Sequence, residues 1–217
     1  MKPYIPPAQY FKQLIDKHGI ESSKVAHHGS YHNLGYILDG LTRHFRLMDG
    51  MTILDVGAGK FDVLGYLENR VIVGHYRGVE ACKELCDAGV EHYVGADAYC
   101  INAALRVEGL HCDFSKYDDP RKFDFVIANG LLSYCKQYGA VENVMERSFI
   151  KKMFNLSHIA CSFSCETLAS TRLASGDPSQ THIVDLATLI PAITQLTPKF
   201  IIEHHERHGM VLITLFH

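Results

Sequence analysis

Apolar residues recur at intervals of three and four through the first fifty positions, then give way to short unbroken apolar runs. Phe11, Leu14, Ile15 and His18 mark one amphipathic helix, and Leu34, Ile37, Leu38, Leu41 and Phe45 mark a second before Gly50. Between them "SSKVAHHGSYHN" is a polar, His-rich loop. From Met51 the pattern changes. "MTILDVGAG" reads as a buried strand entering a glycine turn, after which Phe61, Leu64 and Leu67 resume helical spacing. "FDFVIANG" and "IACSFSC" are further strands, and Met145, Phe149, Met153 and Leu156 share one face of the helix between them. "ETLASTRLASGDPSQT" is a long polar loop, and "IVDLATLI" is a short helix that Pro191 should end or kink. Finally, "KFIIEHH" and "MVLITLF" flank "ERHG" as a closing β-hairpin.

Strands alternating with helices predict an α/β fold, a doubly wound and mostly parallel sheet with an antiparallel terminal hairpin. Residues 1–50 form a helical preface or lid, and residues 51–217 the α/β body of one structural domain, a size that 217 residues suit. In such sheets ligands bind beyond the carboxyl ends of the strands, where the strand order reverses. Functional residues are therefore expected at strand ends.

Composition narrows the classes. A net charge of −3 and the absence of any basic run that could track a phosphate backbone give no indication of general nucleic-acid binding. The seven Cys are odd in number and lack a C-x-x-C pair, so reduced thiols in a cytoplasmic protein are the expectation. The N-terminus has no continuous apolar run of the signal-peptide kind, and no stretch approaches the length that spans a bilayer.

"ILDVGAGKFD" places Asp55 at the end of the first strand, with Gly57 and Gly59 in the turn after it. Glycines there let the backbone bend and approach a ligand closely. Three positions after Gly59 stands Asp62, whose charge would repel a pyrophosphate. A cationic or zwitterionic ligand fits better, and Asp55 either orders the turn or meets an ammonium group. These residues resemble the first motif, acid-x-Gly-x-Gly-x-Gly, of the class I S-adenosylmethionine-dependent methyltransferases. The resemblance runs from about Ile53 to Phe163 and more weakly through the hairpin, and "YxGhE" and "FDhVhA-G" phrases (h, hydrophobic) bring it closest to small members of that family. It implies a seven-stranded sheet, S-adenosylmethionine as cofactor and methyl transfer as activity. Phe61 occupies the place of the third motif glycine, which implies a differently shaped turn, with the ring expected beside the methionine chain of the cofactor.

The resemblance also implies an acid at the end of the second strand that accepts hydrogen bonds from both ribose hydroxyls. Two similar phrases offer one: "HYRGVE", ending at Glu80, and "HYVGAD", ending at Asp97. Twenty-five residues separate Asp55 from Glu80, room for one helix and one strand, whereas forty-two separate it from Asp97. Short connections being the commoner pattern, Glu80 is preferred, and Asp97 is assigned to an inserted segment as N-cap of "AYCINAALR". Asp113, with Phe114 beside it, follows the third strand as the adenine-side acid, and Asn129 with Gly130 follows the fourth beside the methionine part. Asn129 is alternatively a turn residue tolerating left-handed backbone.

Methyl transfer is an in-line displacement that positioning and desolvation accelerate, so the absence of a catalytic triad is no objection. No catalytic residue is assigned. His28, Tyr31 and His32 are candidates for a lid, an acceptor pocket or a general base, against solvated loop residues. Asn129-Gly130-Leu131 lacks the Asn-Pro-Pro-aromatic phrase of nucleobase amine methyltransferases, and a small-molecule acceptor is the default, with protein and RNA left open. Oligomeric state is not legible. Two rival classes stand beside this one. His27, His28 and His32, or Glu203, His204, His205 and His208, would suit a metal protein, although no His-Glu-x-x-His occurs and strand alternation would split His204 from its neighbours. A non-catalytic S-adenosylmethionine-binding partner module is the other, with the residue at position 61 as its support.

Overall fold

A computed structural model describes residues 5–22, 25, 31–45, 48–68, 70, 73–94, 105–132, 142–167, 183–205 and 210–217. In chain order the elements are α1 (Pro7–His18), α2 (Tyr31–Thr42), β1 (Met51–Val56), α3 (Asp62–Glu68), β2 (Val73–Glu80), α4 (Lys83–Val94), β3 (Arg106–His111), β4 (Phe123–Ala128), α5 (Glu142–Leu156), β5 (Ser157–Glu166), α6 (Leu186–Leu196), β6 (Phe200–His205) and β7 (Met210–Phe216). A short 3-10 turn spans Phe114–Lys116.

The seven strands form one sheet in the order β3-β2-β1-β4-β5-β7-β6, with β7 antiparallel to both β5 and β6. Alternate residues of each strand point to opposite faces. On β1, Leu54 and Val56 enter one core with Phe149, Ile150 and Met153 of α5 and Leu189 and Ile193 of α6. Ile53 faces the other way, into a core built with Leu34, Leu38 and Leu41 of α2 and Val63, Leu64 and Leu67 of α3. Because both faces are covered, the central strands read as continuous apolar runs. Phe45, just past α2, stacks on Phe125 of β4 with centroids 4.3 Å apart. The helical preface thus divides: α2 shares the core of the sheet, while Phe11, Leu14 and Ile15 of α1 pack against Val25, Cys82 and Leu85, at the carboxyl end of β2.

Two local features of the chain follow their tertiary setting. Pro191 does not end α6, which continues to Leu196. The carbonyl that loses its donor belongs to Ala187, which is exposed, so water can satisfy it. The phrase "HYVGAD" does not begin as a strand: His92, Tyr93 and Val94 are the last turn of α4. Asp97 and the segment after it lie outside the described residues.

Strand order reverses between β1 and β4, where β1 has β2 on one side and β4 on the other. Asp55 lies at that junction, in register with Gly78 of β2 and Ile127 of β4. A crevice beyond these strand ends is the position a doubly wound sheet reserves for ligands.

Candidate active site

The turn from β1 to α3 carries three consecutive odd positions in left-handed backbone: Gly57 at φ +72°, Gly59 at +56° and Phe61 at +66°. It is fastened to β2 by its own amides. Gly57 and Ala58 donate to the Val79 carbonyl at 2.8 and 3.2 Å, and Gly59 donates to Glu80 Oε2 at 2.9 Å. Phe61 donates back to the Ala58 carbonyl at 2.9 Å, and its own carbonyl receives the Leu64 amide at 3.0 Å as α3 begins. A phenylalanine held at this φ costs on the order of 1–2 kcal/mol. Burial of its ring offsets that cost. The side chain is fully buried, and it does not lie beside a cofactor's methionine chain as the sequence suggested. It turns under β2 and β3 toward α4, into a slot floored by glycines. A Cβ on Gly89 would come within 2.8 Å of the ring, one on Gly109 within 2.9 Å, and one on Gly78 closer still.

Tyr76, Gly78 and Glu80 share one face of β2, and each serves the turn. The Tyr76 hydroxyl donates to Asp55 Oδ2 at 2.5 Å, Gly78 admits the Phe61 ring, and Glu80 receives the Gly59 amide. The other oxygen of Glu80 accepts the Cys82 amide at 2.8 Å. An ionised carboxylate has about four acceptor positions, so Glu80 retains acceptor capacity beyond these amides. Burial raises the Glu80 pKa, opposed by the Cys82, Gly59 and Ala81 amides. Asp55 is buried too, and burial, with the nearby Asp62 and Glu80 charges added, pushes its pKa up to about 7 against the Tyr76 hydrogen bond. Asp62 is raised by burial as well, with Lys60 working the other way. Lys60 itself is 2.6 Å from Glu21. Three carboxylates around one turn repel a phosphate and favour a cation. On the opposite face of β2, Arg77 is sealed in an ion network with Glu108 and Asp119 and takes no part.

The end of β3 is tied to that of β2 by the Cys112 amide donating to the Glu80 carbonyl at 2.9 Å. Asp113 follows, half-buried, and caps the 3-10 turn by accepting the Ser115 amide at 2.8 Å. This capping role is the one the sequence offered for Asp97. The Phe114 ring is buried against Tyr117 and Phe149, with the Lys152 ammonium 4.9 Å away. After β4, left-handed backbone falls on Gly130 rather than Asn129. Ser164 of β5 joins both: its Oγ accepts the Gly130 amide and donates to Asn129 Oδ1, each at 2.8 Å.

Sequence reasoning missed Tyr76, Ser164 and Glu166. Tyr76 and Ser164 were discoverable only by pairing strands, since their partners are 21 and 35 residues away. Glu166 ends β5 two residues beyond Ser164, on the same face, and burial raises its pKa. His28 lies outside the described residues; Tyr31 and His32 begin α2, but their side chains are not described. Among the described residues no three His, Cys, Asp or Glu side chains converge to hold a metal ion. Glu203 meets Arg43 at 3.2 Å and His44 at 2.9 Å, while His27 and His208 lie outside the described residues. No helix among the described residues is long and apolar enough to cross a membrane.

No protein-family model matches the sequence, and no curated protein matches it closely enough to count as a relative. Solved structures do match in shape. Magnesium protoporphyrin IX methyltransferase of Synechocystis PCC 6803, with S-adenosylmethionine bound, superposes with a TM-score of 0.63 at 11% identity, over 99% of this chain and 98% of that one. A phosphoethanolamine N-methyltransferase of Haemonchus contortus, also with S-adenosylmethionine, gives 0.64 at 13% identity, over 90% of this chain and 46% of the other. The CcbJ methyltransferase of Streptomyces caelestis gives 0.58 at 13%, over 81% and 88%. The chain has the class I methyltransferase fold, its seven-stranded sheet and antiparallel hairpin included.

Proposed function

We propose that the protein is an S-adenosylmethionine-dependent methyltransferase with a small-molecule acceptor. The observation that carries this reading is the junction of the Gly59 turn with Glu80 at the strand-order reversal. Its residues fit the cofactor. Glu80 keeps acceptor capacity for a ribose diol, the glycine turn allows close approach, and the Asp55–Asp62–Glu80 field suits a molecule carrying ammonium and sulfonium charge. Gly57 and Gly59 would line the methionine moiety with main chain, Asp113 would accept from the adenine amino group, and Asn129 would border the transfer site. Phe114 would contribute main chain only.

When bound, S-adenosylmethionine supplies an electrophilic methyl group. The chain's part is to orient and desolvate. Glu80 fixes the ribose, Asp55 fixes the positive end, and the Asn129–Ser164 pair holds the β4 turn rigid where an acceptor must arrive. Glu166 is the acceptor-side carboxylate on this reading, and the burial that raises its pKa makes it a stronger base than an exposed carboxylate. A small-molecule acceptor agrees with the lack of any basic run and with the small compounds named for two of the structural neighbours. The residue at position 61, which favoured a non-catalytic module, loses that weight because the turn keeps glycine-like backbone there. Calorimetric titration with S-adenosylhomocysteine tests the reading: micromolar binding is expected, and none up to millimolar concentration would refute it.

A further inference from the structure

We infer that Phe61 is a positioning residue for the cofactor turn, anchoring it from beneath through the slot formed by Gly78, Gly89 and Gly109. The inference rests on the S-adenosylmethionine reading of that turn. A glycine at the third motif position would permit the left-handed backbone but leave the turn free to move. Here the same backbone is present at φ +66°, and a fully buried ring pins it to three separate elements, β2, α4 and β3. The ring lies 5.4 Å from that of Tyr76, whose hydroxyl holds Asp55, and 6.4 Å from that of Tyr93 on α4. Two residues before the anchor, Gly59 holds Glu80. Two of the acids assigned to the cofactor, Asp55 and Glu80, are therefore one contact from the anchored segment. None of the ring's packing is with the cofactor side, so its influence on binding must pass through the turn.

The experiment is a four-protein cycle of wild type, Phe61→Gly, Gly89→Ala and the double variant, each titrated with S-adenosylhomocysteine at 15 °C and melted in parallel. Near-ultraviolet circular dichroism identifies the proteins that are folded at that temperature. Gly89 is the informative partner because the nearest atoms an added Cβ there would meet all belong to the Phe61 ring. In the double variant the methyl refills part of the slot but is tethered to α4, not to the turn. Phe61→Gly is expected to melt roughly 6–15 °C lower and to bind about tenfold more weakly. Gly89→Ala in the double variant is expected to recover part of the melting temperature and none of the affinity. Gly89→Ala alone should weaken binding by displacing the ring. Affinities within twofold across the folded proteins, or an affinity that returns together with melting temperature, would overturn the inference and leave Phe61 a core residue. If Phe61→Gly does not fold, Gly89→Ala against wild type decides alone, with unchanged binding as the refuting result. Absence of binding by wild type would remove the cofactor reading and this inference together.

Discussion

Replacing Asp55 by Asn should change how the stability of the protein depends on pH, in a direction the geometry dictates. Asp55 is buried among Tyr76, Asp62 and Glu80, and its pKa rises from 3.8 to about 7 in the folded chain. A raised acid binds its proton more tightly folded than unfolded. Its contribution is thus most favourable below the unfolded pKa, falls as pH rises between about 4 and 7, and levels off above. Each pH step in that window is worth about 1.4 kcal/mol, so wild type should lose about 2.5 kcal/mol between pH 5 and pH 8 through this group alone. Asn keeps an acceptor for the Tyr76 hydroxyl and cannot ionise. Asp62 and Glu80 also have raised pKa values and impose slopes of their own, but these are shared by both proteins and largely cancel in the difference. Urea unfolding at pH 5, 6, 7 and 8 measures the effect. With a slope of roughly 2–3 kcal/mol per molar urea, the midpoint of Asp55→Asn should gain on that of wild type by about 1 M across the range. A difference constant to within about 0.5 kcal/mol would show that Asp55 is ionised throughout and that burial does not govern it.

The same group should make S-adenosylmethionine binding stronger as pH rises from 5.5 to 7.5, by roughly tenfold or more, because a cation prefers the ionised carboxylate; equal dissociation constants at both pH values would refute it. Glu80→Ala should weaken S-adenosylhomocysteine binding by about 1.5–3 kcal/mol, while Asp97→Ala should leave it nearly unchanged, as calorimetry would show. Glu80→Gln should be no milder than Ala on folding, since its amide must face either the Gly59 or the Cys82 N–H; a melting temperature equal to wild type would count against those hydrogen bonds. Gly78→Ala should destabilise the fold by about 1–3 kcal/mol through overpacking against the Phe61 ring and Ala58, measurable by chemical unfolding.

Much of this architecture was readable from local pattern. Buried strands announce themselves as apolar runs, and the Asp55–Gly59 turn combines a strand end with two glycines, a local signal. "HYRGVE" and "HYVGAD" are alike in letters but carry unlike periods. Before the second phrase, Leu85, Cys86, Gly89 and Tyr93 recur at helical spacing, and that period runs on through Val94. What local pattern does not carry is the direction of a side chain whose partners are distant. Phe61 was expected near the ligand because the motif places it there. The slot that receives it is made of glycines, and a glycine leaves no hydrophobic trace in sequence. Arg77 gave no signal for a similar reason: its partners Glu108 and Asp119 lie 31 and 42 residues on. Asp113 and Asn129 were located at strand ends correctly, but their present hydrogen bonds, to Ser115 and Ser164, depend on turn geometry and strand pairing.

The slot beneath the turn also constrains how this chain can change over generations. A change of Phe61 to glycine leaves a void, and a side chain gained at Gly78, Gly89 or Gly109 collides with the ring, so each of the four positions blocks single-step change at the others. Descent across such a set proceeds by coupled substitutions. Homologues that carry glycine at position 61 should therefore show larger residues at 78, 89 or 109, and the four columns should covary although they are drawn from three strands or helices and one turn. A lineage that has filled this position in this way is held there by its own packing, and its likeness to other chains of the same fold survives in shape rather than in the motif.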